Sequence, residues 1–168
     1  MKRPETALID AGPVIHLAEL GLLSILNMFE ASHTTIIVYE EIQKHIPELD
    51  IEDIIEINGS TIPYSDTVKA VAKIFSLDAG EISLLSMLVN RFPSALFVCD
   101  DSAARLAADA LKIESTGTLG IVIRAGTEGI ITRTKALDAL RLIPEKTSLY
   151  ISEDLLTEVI SKTERAWS

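Results

Sequence analysis

Short apolar runs alternate with stretches of helical period, which predicts an α/β fold built on a parallel sheet. Three observations carry that prediction. Apolar or β-branched runs recur at residues 6–9, 34–38 and 95–99. Between them, apolar residues return every three or four positions, as one face of a helix requires. The run Ala95-Leu96-Phe97-Val98-Cys99 is almost wholly apolar, as a central strand covered on both faces should be.

Taken in order, residues 6–9 read as the first strand. Pro13 suits the first turn of a helix carrying Val14, Leu17 and Ala18. After Gly21 a further helical turn is expected through Leu22, Ile25, Leu26 and Phe29. Residues 34–38 are β-branched and predict the second strand, followed by a helix over 39–45 that stops before Pro47. A short strand is expected at 54–57. Ser65 offers an N-cap for a helix through Val68, Val71, Ala72 and Phe75. Asp78-Ala79-Gly80-Glu81 opens another, with Ile82, Leu85, Leu88 and Val89 on one face. After the 95–99 strand, Asp101 or Ser102 caps a helix to about Leu111, and residues 112–115 suggest a short strand. Gly117-Thr118-Leu119-Gly120 leads into a helix ending near Gly126, and two more helices are expected over 133–142 and 153–163.

The 168 residues fit one domain over 1–168, with a core over about 6–160. Hydrophobic residues make up 48% and aromatics 5%, so the core is aliphatic. No apolar run is long enough to span a bilayer, and the start at Lys2-Arg3 lacks the apolar segment of a signal peptide. The lone Cys99 excludes an internal disulfide, fits a reducing cytoplasm, and reads as a small buried hydrophobe. The net charge of −10 argues against a broad basic surface for nucleic acid. A local acidic site that holds a cation remains compatible with it.

Acidic residues stand where strands should hand over to helices or loops. Asp10 closes Ala7-Leu8-Ile9, and Glu41 follows Ile36-Ile37-Val38 after three residues. Glu81 comes right after Gly80 at a helix head, and Asp100-Asp101 close the 95–99 strand. Ligands of open α/β sheets bind at the carboxyl ends of the strands. Carboxylates converging there make a hard-oxygen site for Mg²⁺ or Mn²⁺, ions that serve phosphoryl transfer. Each acid also has a plainer use: Asp10 or Asp100 in a turn, Glu41 at the surface, Glu81 as a favourable helix-start charge, Asp101 as an N-cap.

Other chemistries fit less well. His16, His33 and His45 share no ligand spacing with one another or with Cys99, which speaks against zinc, and are expected at the surface or core edge. No G-x-S-x-G elbow is present. Gly117-Thr118-Leu119-Gly120 is too short for a dinucleotide fingerprint and reads as a strand-to-helix turn. A phosphatase-like use of Asp10 as nucleophile lacks the second acid of a D-x-D pair, since Gly12 stands there.

The ordered segments Leu8-Ile9-Asp10-Ala11-Gly12-Pro13-Val14-Ile15-His16-Leu17, Val38-Tyr39-Glu40-Glu41-Ile42, Leu77-Asp78-Ala79-Gly80-Glu81 and Val98-Cys99-Asp100-Asp101-Ser102-Ala103-Ala104-Arg105 resemble the motifs of PIN-domain proteins. The likeness is to the DUF3368-like branch, related to VapC-type toxin ribonucleases, and spans about residues 6–160. It implies a three-layer α/β/α sandwich around a parallel sheet, and a metal-dependent ribonuclease. By position it implies Asp10, Glu41, Glu81 and Asp101 as catalytic acids. With Asp100 they would be the ligands of Mg²⁺ or Mn²⁺. Arg105, one helical turn after Asp101, would contact phosphate or pair with the acids. RNA would be the substrate, a small antitoxin protein a possible partner, and a homodimer a possible assembly. The chain departs from the family pattern at Ala11-Gly12, where a Ser or Thr is usual. That departure, the acidic charge and the expected lack of an aromatic stacking platform for bases suit the alternative of a catalytically silent PIN-like interaction module.

Overall fold

A computed structural model of the chain describes residues 6–60 and 63–168; the basic start at Lys2 and Arg3 lies outside the described residues. Among the described residues, five strands form one parallel sheet: β1 (Thr6–Ile9), β2 (Ala31–Thr35), β3 (Glu56–Asn58), β4 (Leu96–Val98) and β5 (Ser115–Thr116). Their order across the sheet is β3-β2-β1-β4-β5. Leu8 on β1 pairs with His33 on one side and Phe97 on the other. Strand order therefore reverses between β1 and β4, which opens a crevice at their carboxyl ends.

The helices are α1 (Ala11–Glu19), α2 (Ile36–His45), α3 (Asp66–Phe75), α4 (Ala79–Asn90), α5 (Ser102–Ala110), α6 (Thr118–Thr127), α7 (Arg133–Lys146) and α8 (Glu153–Trp167). The β1–β2 and β3–β4 connections run in opposite directions along the sheet, so right-handed crossovers place their helices on opposite faces. α4 packs on α3, and α3 on α5; α1 touches α6, α6 packs on α7, and α7 on α8. The result is a three-layer α/β/α sandwich. α2 touches both α1 and α4.

The core lies on both faces of the central strands. Leu8, Ile9, Phe97 and Val98 are fully enclosed, as are Leu84, Leu85 and Met87 on α4 and Ile121 and Val122 on α6. Enclosing each large side chain stabilises the fold by about 1.5–3 kcal/mol. Truncating Phe97 to alanine would cost roughly 3–5 kcal/mol.

The second strand differs from expectation. It begins at Ala31 and ends at Thr35, and Ile36-Ile37-Val38 form the first turn of α2. The cause is local: the Thr35 hydroxyl accepts the Val38 N–H at 3.3 Å and caps the helix there. Only Val38 of the three is buried, so the β-branched run is not the strand its composition suggests. Glu41 consequently sits in the second turn of α2. β5 is also displaced from 112–115, because Lys112 takes φ 59° and the Ile113 N–H bonds back to the Ala108 carbonyl. Residues 23–28 form a 3₁₀ turn (Leu23–Met28) in place of an α-helical one. α8 runs on past Thr163 to Trp167, whose indole N–H donates to the Thr127 hydroxyl at 3.2 Å.

Candidate metal centre

Asp10 occupies the N-cap position of α1, immediately beyond β1. Its backbone N–H continues the ladder to the Val98 carbonyl at 2.9 Å, which holds it beside the end of β4. A capping aspartate normally accepts an N–H from the second or third helical residue. Asp10 makes no such bond; its Oδ2 accepts the Cys99 S–H at 3.3 Å.

Glu81 is placed by a capping box at the head of α4. The Asp78 Oδ1 accepts the Glu81 N–H at 2.8 Å, and the Glu81 Oε2 accepts the Asp78 N–H at 2.9 Å. Glu81 is only 7% exposed. Asp101 caps α5 by accepting the Ala104 N–H at 2.8 Å. Glu41, half-buried, brings its Oε2 to within 3.5 Å of where a Cβ on Gly80 would sit. A Cβ there would be in ordinary contact with that carboxylate and in tight contact, at 3.3 Å, with Val38; neighbouring Glu40 faces solvent.

Asp10, Glu81 and Cys99 place ligand-capable atoms within 4.8 Å of one another. Burial pushes Asp10 up from 3.8 to about 6, hydrogen bonds from Ala11 and Cys99 hold it down, and the negative charges of Asp78 and Glu41 add to the rise. Burial likewise pushes Glu81 from 4.5 to about 7, with Asp78, Asp101 and Asp10 adding to it against the Asp78 N–H bond. Glu41 is raised by burial first and by Asp78 second. Five carboxylates therefore act on one another at the carboxyl edge of β1 and β4. Cys99 is fully buried, and burial together with the Asp10 charge drives its thiol far upward. It stays a protonated donor to Asp10, so its role exceeds that of a small hydrophobe.

Asp100 is differently engaged. Its Oδ2 meets His16 Nδ1 at 2.6 Å and the Thr118 hydroxyl at 2.6 Å, while Oδ1 accepts the Thr118 N–H at 2.7 Å. Burial works to raise it, but the bonds from His16 and Thr118 outweigh burial and hold it below the usual range. This network ties α1 and the head of α6 to the end of β4. Gly117 makes it possible, since a Cβ there would lie 2.7 Å from the Asp100 Oδ1. Arg105 forms no ion pair with the acids among the described residues; its guanidinium lies 3.1 Å from that same Cβ position.

Sequence reasoning missed two participants. Asp78 was legible as half of a D-x-x-E capping box, yet its charge also acts on Asp10, Glu41 and Glu81. His16, expected at the surface or core edge, is 8% exposed and bonded to Asp100. No spacing rule links residues so far apart in the chain.

The family model DUF3368, described as a PIN domain, matches residues 6–165. The chain belongs to the PIN-domain family. No curated protein matches it. The PIN fold is a nuclease-type fold, and its acidic cluster suits a divalent metal in this chain by the chemistry of the donors. Asp10 and Glu81 offer hard oxygens, and both resist ionisation in a way that a bound cation would offset. Glu81, Asp78 and Asp101 each give one oxygen to a helix N-terminus. Each keeps its other oxygen outside those capping bonds. Among the described residues, no helix is long and apolar enough to cross a membrane.

Proposed function

We propose that this PIN domain is a metal-dependent ribonuclease that hydrolyses RNA phosphodiesters. The observation that carries the reading is the meeting of Asp10 and Glu81 within 4.8 Å at the strand-order reversal, with Glu41, Asp78 and Asp101 around them. Asp10 and Glu81 would hold a Mg²⁺ or Mn²⁺ ion, and Asp101 and Glu41 would complete the site directly or through water. When bound, such an ion supplies a water of lowered pKa and neutralises charge on the leaving oxygen. Cys99 holds Asp10 by its S–H bond, and the capping box fixes Glu81 against α4. Arg105, with no ion pair among the described residues, is available to a phosphate. Asp100, with both oxygens engaged by His16 and Thr118, serves as a structural tie and is left out of the ligand set.

The narrower reading makes this domain a cytoplasmic toxin whose site a small antitoxin protein covers, with a homodimer as its assembly. Likeness of motifs to VapC-type toxins supports it, and a short neighbouring reading frame encoding a binding partner would test it. A silent interaction module is favoured by one observation, the absence of a hydroxyl at Ala11-Gly12.

The deciding experiment compares the wild type with Asp10→Asn and Glu81→Gln on single-stranded RNA in Mg²⁺, Mn²⁺ or chelator. Cleavage should need the metal and fall by roughly a hundredfold or more in either variant, the scale of losing a preorganised electrostatic group. Undiminished cleavage in a pure Asp10→Asn sample sinks the site assignment. Manganese binding without cleavage by the wild type would establish the silent module instead.

A further inference from the structure

We infer that the cavity beside the acidic cluster is a subsite for one nucleotide of single-stranded RNA, next to the bond to be cut. This deepens the ribonuclease reading and rests on it. The cavity has a volume of about 670 Å³ and opens at the carboxyl ends of β2 and β3, within the size range of ligand sites.

Its floor lies on the elements that carry two of the acids. Thr35 ends β2 and caps α2, which carries Glu41; Ser83 stands on α4, whose first turn holds Glu81. The Thr35 and Ser83 hydroxyls meet at 2.7 Å and join the two helices under the cavity. A nucleotide seated here would lie along the same sheet edge as the proposed metal ligands.

The lining chemistry suits that occupant. The chain carries a net charge of −10, yet no Asp or Glu lines the cavity among the described residues. Lys69 does, exposed and without an ion pair among the described residues, as a phosphate contact requires. The Tyr64 ring is 38% exposed, and Ile36 and Ile37 are exposed beside it at the head of α2. An aromatic ring with aliphatic neighbours offers a stacking face for a base. The segment bearing Tyr64 is anchored, because the Pro63 carbonyl accepts the Asn90 amide N–H at 3.1 Å. A wholly apolar partner helix would leave the exposed Lys69 ammonium unmatched, so RNA is the better fit.

The test is fluorescence anisotropy of a labelled single-stranded oligoribonucleotide in Ca²⁺, its integrity checked on a gel, with the whole chain. Tyr64→Ala should weaken binding about tenfold, and Tyr64→Phe should restore it to within about twofold. Lys69→Gln should reduce the slope of log affinity against log salt by about 0.7. Both residues are exposed, so neither change threatens the fold. Unaltered affinity and slope in Tyr64→Ala and Lys69→Gln would overturn the subsite; if the wild type still cuts RNA, the nuclease reading stands. The opposite pattern, weakened binding in both variants of a chain that cuts no RNA in Mn²⁺, supports the cavity and removes the nuclease. A protein ligand lost in Tyr64→Ala while RNA affinity is unchanged also overturns the subsite.

Discussion

Asp10 should destabilise the metal-free protein above pH 6, and Asp10→Asn should therefore stabilise it. The carboxyl is raised from 3.8 to about 6 in the fold. Between those values the folded state binds more protons than the unfolded chain, so stability falls as pH rises. The loss begins near pH 4 and is complete above pH 6. At roughly 1.4 kcal/mol per pH decade it amounts to about 3 kcal/mol. Asparagine does not titrate, so the variant avoids that loss. It also gives up part of the bonding to Ala11 and Cys99, which costs about 1 kcal/mol. The net gain at pH 8 is about 2 kcal/mol, or roughly 4–8 °C in Tm for a chain of this size.

The assay is thermal unfolding followed by circular dichroism in EDTA at pH 4, 6 and 8. At pH 4 the variant should match the wild type or melt slightly lower; by pH 8 it should melt higher. Groups that do not feel the Asp10 charge cancel in the difference; Glu81, which that charge helps to raise, is relieved in the variant and adds to the gain at high pH. Adding Mn²⁺ at pH 8 should then raise the wild-type Tm by mass action and leave the variant much less changed. An Asp10→Asn protein that melts at or below the wild type at pH 8, with the same pH slope, would refute the claim that Asp10 is held under electrostatic stress.

Two further outcomes separate structural from ligand roles. Asp100→Ala should lower stability by about 2–3 kcal/mol, because it leaves His16 and Thr118 without their charged partner; denaturant unfolding reads the loss, and Mn²⁺ affinity at saturating folded population should stay within about twofold. A large drop in affinity with stability intact would return Asp100 to the ligand set. Cys99, fully buried with its thiol pushed far up, should resist iodoacetamide at pH 8 in the native protein and react on unfolding, as mass spectrometry would show; rapid native alkylation would contradict the S–H bond to Asp10.

Much of the architecture is legible before any coordinates. The all-apolar β4 and the alternation of strands with helical period follow from burial on both faces of a parallel sheet. Errors gather where tertiary or capping bonds override composition. Ile36 and Ile37 look like strand residues, but one hydroxyl on Thr35 starts a helix there. Ala31 is a poor strand former and Ser32 and His33 are polar, but register with Thr6, Ala7 and Leu8 makes them strand. Within the site, location at strand ends marks the acids as a set. It does not tell Asp100 from Asp101, since adjacent residues after a strand differ in direction and that direction is set by partners on α1 and α6. The bond between Cys99 and Asp10 joins two strands far apart in sequence, and no local pattern signals it.

Structural and chemical uses of these acids do not compete. Asp78, Glu81 and Asp101 each give one oxygen to a helix N-terminus, which fixes the side chain while leaving the other oxygen outside the cap. Capping accounts for Asp78 and Asp101, at about 1 kcal/mol each, whereas burial and neighbouring charges also oppose the ionisation of Glu81. Asp10 goes further. It occupies the N-cap position of α1 and does not cap it through N2 or N3. Burial and the charges of Asp78 and Glu41 oppose its ionisation, and its S–H and N–H bonds do not fully offset them. A residue whose charge the fold opposes, placed where strand order reverses, has no adequate structural account. A cation shared with Glu81 would supply the missing term, and that makes Asp10 the residue on which the metal reading turns.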